Sequence, residues 1–299
     1  MELIRDAAGL RARADAAREA GGAAAIVPTM GALHDGHRSL IRRARGDRPT
    51  VAVSIFVNPE QFGDPADLEA YPRDEARDLA ICEELGVDVV WAPPVEEVYP
   101  AGVELPRPDA GPVANRFEGA SRPGHFEGVL TVVRRLFDVF GPCTAYLGEK
   151  DAQQLFLVRR MIDLEGLPVD VVACPTVREP DGLASSSRNA RLSPEEREQA
   201  GCLFLALSEA AELAGSGERD PKVLVAAMAR EIGATPLARV DYAAVIDDRT
   251  FAVPDRLEPG IQARALVAAE FPSARLIDNL RLPVRDRVGD DERSVRPEP

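Results

Sequence analysis

The run at residues 50–57, TVAVSIFV, is apolar or β-branched at nearly every position rather than at every second one. A strand with that pattern has both faces covered, and helices are what cover both faces of a sheet. Helical patterns lie on either side of it, at about residues 36–44 and 74–85, and residues 87–91 read as the next short strand. Residues 144–148 and 169–174 read as further strands, with helical patterns at 126–140 and 152–165. Strands alternating with helices predict an α/β fold built on a parallel, Rossmann-like sheet. At the start, Leu3, Ala7, Leu10 and Ala14 share one helical stripe, so residues 1–20 are expected to form a single amphipathic helix ended by Gly21 and Gly22. Residues 23–27 are a short apolar run, followed by a loop from Pro28.

The pattern stops around residues 175–190, and a chain of 299 residues accommodates about two domains. We expect a Rossmann-like domain over 1–180 and a smaller α+β lid domain over 181–284. The second domain opens with Ser193-Pro194-Glu195-Glu196, a capping box that starts a helix running to about residue 214. Residues 285–299 are charged and carry prolines, and read as a disordered tail. No apolar run approaches the roughly 18 residues that span a bilayer, and the first residues lack the basic-then-apolar order of a signal peptide. The formal charge of −14 argues against nucleic acid as a partner, because phosphate neutralisation needs clustered cations. Cys82, Cys143, Cys174 and Cys202 form no C-x-x-C pair, which predicts buried thiols.

An acidic chain that binds an anion needs a local basic site, and the candidates are few. There are three histidines, His34, His37 and His125, and two lysines, Lys150 and Lys222. His34 and His37 close the segment Met30-Gly31-Ala32-Leu33-His34-Asp35-Gly36-His37, where a strand gives way to a helix. A helix N-terminus presents free N–H groups and the positive end of its dipole, so it suits phosphate, although two histidines at a helix start are also an ordinary surface pair. Lys150 stands in Gly148-Glu149-Lys150-Asp151, again between a strand and a helix, where α/β proteins hold ligands. Ser185, Ser186, Ser187 and Arg188 form a polar loop able to clamp phosphates. Asn58 and Gln61 follow the apolar strand, and Arg122 precedes His125; both stretches also read as plain turns. The chain has neither a P-loop nor a G-x-G-x-x-G motif.

Taken together, PTMGALHDGH, VSIFVNPEQFG, YPRD, EGASRPGHFEGV, GEKDAQQL, DGLASSSRN and RLIDN, in that order over roughly residues 1–283, closely resemble the pantoate–β-alanine ligase family. The resemblance implies ATP-dependent condensation of (R)-pantoate with β-alanine through a pantoyl adenylate, with ATP and Mg²⁺ as cofactors. It implies that His34, His37, Lys150, Ser186, Ser187 and Arg188 act on the phosphates, His37 as proton donor. Met30, Gly31, Ala32, Leu33, Asp35, Gly36, Gly148, Glu149, Asp151, Val177 and Ser185 would complete the nucleotide site. Gln61, Gln154 and Met30 would hold pantoate, with Asn58, Tyr71, Arg122 and His125 as further contacts or supports. A cytoplasmic homodimer is the family expectation. Two positions depart from the family's pattern: Ser185, where methionine is usual, and Glu60, where an apolar residue is more common. A related adenylyltransferase with another acceptor, or a nucleotide binder without catalysis, are the alternative readings.

Overall fold

In the computed structural model, which describes residues 1–63 and 65–284, the two-sided burial expected of the sheet is resolved strand by strand. Ala24 and Ile26 face one apolar cluster while Ala25 and Val27 face another; Ala52 faces the first while Val51 and Val53 face the second. Successive side chains of a strand point to opposite faces, so each apolar run feeds two cores at once. The first core is closed by the helices Ala7–Glu19, His125–Phe140 and Ala152–Glu165, and the second by Asp35–Asp47 and Glu75–Glu84.

Six parallel strands form the sheet: β1 (Glu2–Ile4), β2 (Ala24–Thr29), β3 (Thr50–Ile55), β4 (Val89–Trp91), β5 (Cys143–Gly148) and β6 (Val169–Cys174), in the order β1-β4-β3-β2-β5-β6. After β2 the chain crosses over one face through Asp35–Asp47 to reach β3. After β5 it crosses the other face through Ala152–Glu165 to reach β6. The winding therefore reverses between β2 and β5, and a crevice opens there beyond the carboxyl ends of the strands. Pairing between β2 and β5 covers only Ala25–Thr144 and Ile26–Ala145, whereas β2 pairs with β3 along its whole length. Pro28, which has no N–H to give a ladder, lies where β5 has already parted from β2.

The structure departs from the expected single helix at the start of the chain. Glu2–Ile4 is an edge strand paired to β4, and the helix begins only after Asp6, whose carboxylate accepts the Gly9 N–H at 2.7 Å. An N-cap aspartate separates the two elements, and three residues are too few for strand periodicity to show. The strand at β2 also runs two residues further than expected, through Pro28 and Thr29.

The chain divides into compact units of residues 1–190 and from 191 onward. In the second unit, β7 (Arg239–Asp247), β8 (Ala263–Glu270) and β9 (Arg275–Arg281) form an antiparallel sheet with β8 central, packed by the helices Cys202–Gly215 and Pro221–Gly233. The capping box at Ser193 and Glu196 is present, but its helix stops at Gln199 and a separate helix starts at Cys202, with Ala200 and Gly201 between them. The expected tail, residues 285–299, lies outside the described residues. Among those described, no helix is long and apolar enough to cross a membrane.

Candidate functional site

One cavity at the β2/β5 reversal is lined by Met30, His34, Gly36, His37, Asn58, Gln61, Tyr71, Arg122, His125, Gly148, Lys150, Asp151, Gln154, Val177 and residues 185–188. Its remaining wall is mostly apolar, including Phe56, Trp91, Val129, Val132, Val133 and Leu136. Of the site residues expected from sequence, Gly31, Ala32, Leu33, Asp35 and Glu149 do not reach this wall. Leu33 is instead in the core beneath it, and Asp35 is exposed.

The two histidines owe their spacing to helix capping. His34 is the N-cap of Asp35–Asp47, and its Nδ1 accepts the Gly36 N–H at 3.1 Å; His37, at the third helical position, accepts the His34 N–H on its own Nδ1 at 3.4 Å. This is a capping box made of imidazoles. A side chain at Gly36 would meet the His34 ring at 2.8 Å and push it off its capping position. An N–H aimed at Nδ1 leaves that nitrogen no proton, so each neutral ring carries its proton on Nε2, as a donor. Burial, then Lys150, lowers the His34 pKa to about 4; burial, then His34, lowers that of His37 to about 3. The free protein thus holds two uncharged imidazoles with centroids 4.1 Å apart.

The preceding turn is held from outside the cavity. Gly31 and Ala32 have φ of 78° and 50°, a conformation that costs a non-glycine residue about 1 kcal/mol. Asp78, 2% exposed, accepts the Ala32 and Leu33 N–H groups on its two carboxylate oxygens, each at 2.8 Å. Sequence reading missed Asp78, yet it left a signal: a carboxylate on the same helical stripe as the buried Ile81 and Cys82.

Across the crevice, Lys150 leaves the end of β5 with its Nζ 3.6 Å from Asp151 Oδ1 and its side chain 15% exposed. Burial works against ionisation of Asp151, but Lys150 and Arg188 outweigh it and hold the carboxyl below its usual range. Gln153 and Gln154 separate cleanly. Gln153 is buried and bonded to the main chain of Val113, Arg116 and Glu118, while Gln154 faces the cavity. The polar loop is tied at both ends: Ser185 N–H donates to the Val177 carbonyl at 2.9 Å, and Asn189 Nδ2 donates to the Ala184 carbonyl at 3.1 Å. Burial raises the Tyr71 pKa, and Ser187 and Arg188 of the loop work against that rise.

Gln61 sits on a short turn pressed against the helix His125–Phe140. A Cβ at Gly128 would lie 2.3 Å from the Glu60 carbonyl oxygen, so only glycine admits the turn this closely. His125 Nδ1 donates to the Gln61 carbonyl at 2.9 Å, and its Nε2 accepts from Arg122 at 3.1 Å. Both ring nitrogens are therefore used by the protein, which makes His125 a support. Glu60 turns outward into a two-pronged ion pair with Arg107, so its charge does not enter the cavity.

Burial, then Arg122, lowers the His125 pKa to about 4. The unfolded chain takes up this proton near 6.5 and the folded one only near 4, so the stability is full above pH 6.5 and falls as pH drops toward 4. His125 is 8% exposed, and from pH 6.5 to 5 it should cost about 2 kcal/mol. Denaturant titrations of the protein and of His125→Gln check this: the variant should lose stability less steeply over that interval. Equal slopes would remove His125 as the source.

Residues 2–281 match the model of the family described as pantoate-beta-alanine ligase. The chain is 52% identical over 259 residues to the pantothenate synthetase of Roseiflexus castenholzii, covering 86% of this chain and 92% of that protein. A crystal structure of pantothenate synthetase from Thermus thermophilus superposes with a TM-score of 0.87 at 46% identity, covering 96% of this chain and all of that one. A pantoate-beta-alanine ligase from Francisella tularensis, complexed with beta-gamma ATP and beta-alanine, gives 0.76 at 32% identity over 94% of this chain and 97% of that one.

Proposed function

The chain belongs to the pantoate–β-alanine ligase family, and from that premise we propose how its own residues divide an ATP-dependent synthesis of pantothenate. The reaction runs in two steps. A pantoate carboxylate oxygen bonds to the α-phosphorus of ATP while the bond to the bridging oxygen breaks, giving pantoyl adenylate and pyrophosphate. The β-alanine amine then bonds to the adenylate carbonyl carbon, the carbon–oxygen bond to AMP breaks, and the amine releases a proton.

Charge builds on the departing pyrophosphate in the first step, and donors already in place stabilise it best. The observation that carries the reading is the pairing, across the β2/β5 crevice, of the imidazole capping box with Lys150. His34 and His37 offer Nε2–H donors beside a helix N-terminus, and Lys150 supplies a compact cation. Ser186, Ser187 and Arg188 take the outer phosphates, and Val177 and Gly148 lie against the adenosine. Gln61 and Gln154 bind the pantoate oxygens, with Met30 and the apolar wall against its methyl groups. Ser185, backed by its bond to Val177, fills the place of the more usual methionine.

Mg²⁺, when bound with the nucleotide, would supply counter-charge to the triphosphate. Among the described residues no three His, Cys, Asp or Glu side chains converge as a cage, and Mg²⁺ is commonly held by one or two carboxylates plus phosphates. Asp151, kept ionised, is the carboxylate at that end. Work in the cytoplasm, as a homodimer, belongs to the same proposal; four unpaired thiols suit a reducing compartment.

Pyrophosphate–ATP exchange with Mg²⁺ and without β-alanine tests the assignment. Exchange should appear only when pantoate is added. Exchange that ignores pantoate, or its absence from a folded protein that binds both ATP and pantoate, would overturn it.

A further inference from the structure

An amide side chain can meet a ligand with either end, and the two ends have opposite hydrogen-bonding character. Gln61 does not have that freedom. Its Oε1 accepts from Asn58 Nδ2 at 3.2 Å, and its Nε2 donates to Met30 Sδ at 2.8 Å. Its orientation follows from that of Asn58. Asn58 Nδ2 also donates to the Gly128 carbonyl at 3.0 Å, and a carbonyl can only accept, so the Asn58 amide has one possible orientation. Its Oδ1 accepts from the Tyr99 hydroxyl at 2.7 Å and, at the longer 3.3 Å, from the Glu60 N–H. Asn58 is 1% exposed and each polar atom of its side chain already has a protein partner, so it backs the site rather than reading a ligand. Tyr99 does not line the cavity; its ring packs on Phe56 with centroids 6.2 Å apart. Burial pushes its hydroxyl well above the ordinary tyrosine value, so it remains a donor at any working pH.

We propose that Tyr99 is a positioning residue for pantoate: its hydroxyl, through the shortest bond to Asn58, holds that amide firmly in the orientation the Gly128 carbonyl selects, and Asn58 in turn keeps the Gln61 amide with its N–H end toward the ligand. The proposal rests on the assignment of Gln61 to pantoate. Without the hydroxyl, Asn58 Oδ1 keeps only the longer bond from Glu60, and the linked amides gain room to rotate. The ligand that reads Gln61 feels this, and the nucleotide, held at the other end of the cavity, does not.

Tyr99→Phe keeps the ring and its contact with Phe56. One neutral hydrogen bond lost behind a binding group should raise the KM for pantoate about fivefold, with KM for ATP within about twofold and kcat nearly unchanged. The same change made in Gln61→Ala should add nothing further, because the relay ends at Gln61. Trp91 is the single tryptophan and lines the cavity, so its fluorescence gives pantoate affinity for variants with little turnover. An unchanged pantoate KM, an equal rise for ATP, or an undiminished effect in the Gln61→Ala background would overturn the relay. An effect of Tyr99→Phe confined to thermal stability would do the same. If Tyr99→Phe does not fold, Asn58→Ser breaks the relay one link later and should raise pantoate KM at least as much; no rise refutes the proposal. A Gln61→Ala enzyme with normal pantoate KM would instead refute the assignment of Gln61 itself.

Discussion

Lys150→Met should slow pantoyl-adenylate formation by about a thousandfold, or about 4 kcal/mol, with little change in stability. The nearly isosteric methionine keeps the packing of a side chain that is 15% exposed and removes only its charge. Two effects add. The departing pyrophosphate loses a cation held at the end of β5, and Asp151 loses the neighbour that offsets its carboxylate, so a repelling charge is left beside the phosphates. Lys150→Arg should retain charge yet still lose more than about tenfold, because a planar fork does not fit where a compact ammonium does. Single-turnover measurement of the adenylate, with ATP and pantoate and without β-alanine, reads this step alone. If Lys150→Met is slowed less than tenfold, the phosphates are being stabilised elsewhere. If Lys150→Arg is fully active, any cation at this position suffices.

The motifs were legible in the sequence because each is written in consecutive residues. A capping position and a helix start lie within His34 to His37, one short turn after β2 ends at Thr29, and a strand end and a capping position lie within Gly148 to Asp151. The order of strands was not legible. Nothing local in TVAVSIFV says that β3 lies between β4 and β2, or that β2 and β5, more than a hundred residues apart in the chain, are neighbours. That neighbour relation brings the two motifs into one cavity. The supports were hidden for a similar reason. Asp78 grips a turn 45 residues away in sequence, and Gly128 matters only because the Glu60 carbonyl approaches it. The edge strand β1 was misread because Leu3 continues the helical stripe by coincidence, while Asp6, a good N-cap, marks the true start. The role of Asn58 could not be read either. Asparagine after an apolar strand is compatible with ligand contact or support, and only the four bonds around its amide decide for support.

The capping box makes a separate prediction for His37, because that residue has two jobs that different substitutions separate. Glutamine is an ordinary residue at the third position of a capping box. In His37→Gln the amide oxygen can accept the His34 N–H while its nitrogen still points a donor at the phosphates. Glutamine cannot take a positive charge. The native ring, neutral in the free protein with a pKa near 3, is drawn upward when a triphosphate settles against it, and can carry charge as pyrophosphate leaves. His37→Gln should therefore unfold near the native temperature yet form the adenylate about a hundredfold more slowly, close to 2.7 kcal/mol. His37→Ala should be slower still, and should also lose about 1 kcal/mol of stability with the cap. Since both rings are already neutral well below pH 6 in the free protein, kcat/KM for ATP should show no acid limb from them between pH 6 and 8. The decisive comparison is His37→Gln against His37→Ala. Equal destabilisation would mean the imidazole does not cap the helix. A glutamine variant within threefold of the native rate would mean that the ring serves as a neutral donor and never needs its charge.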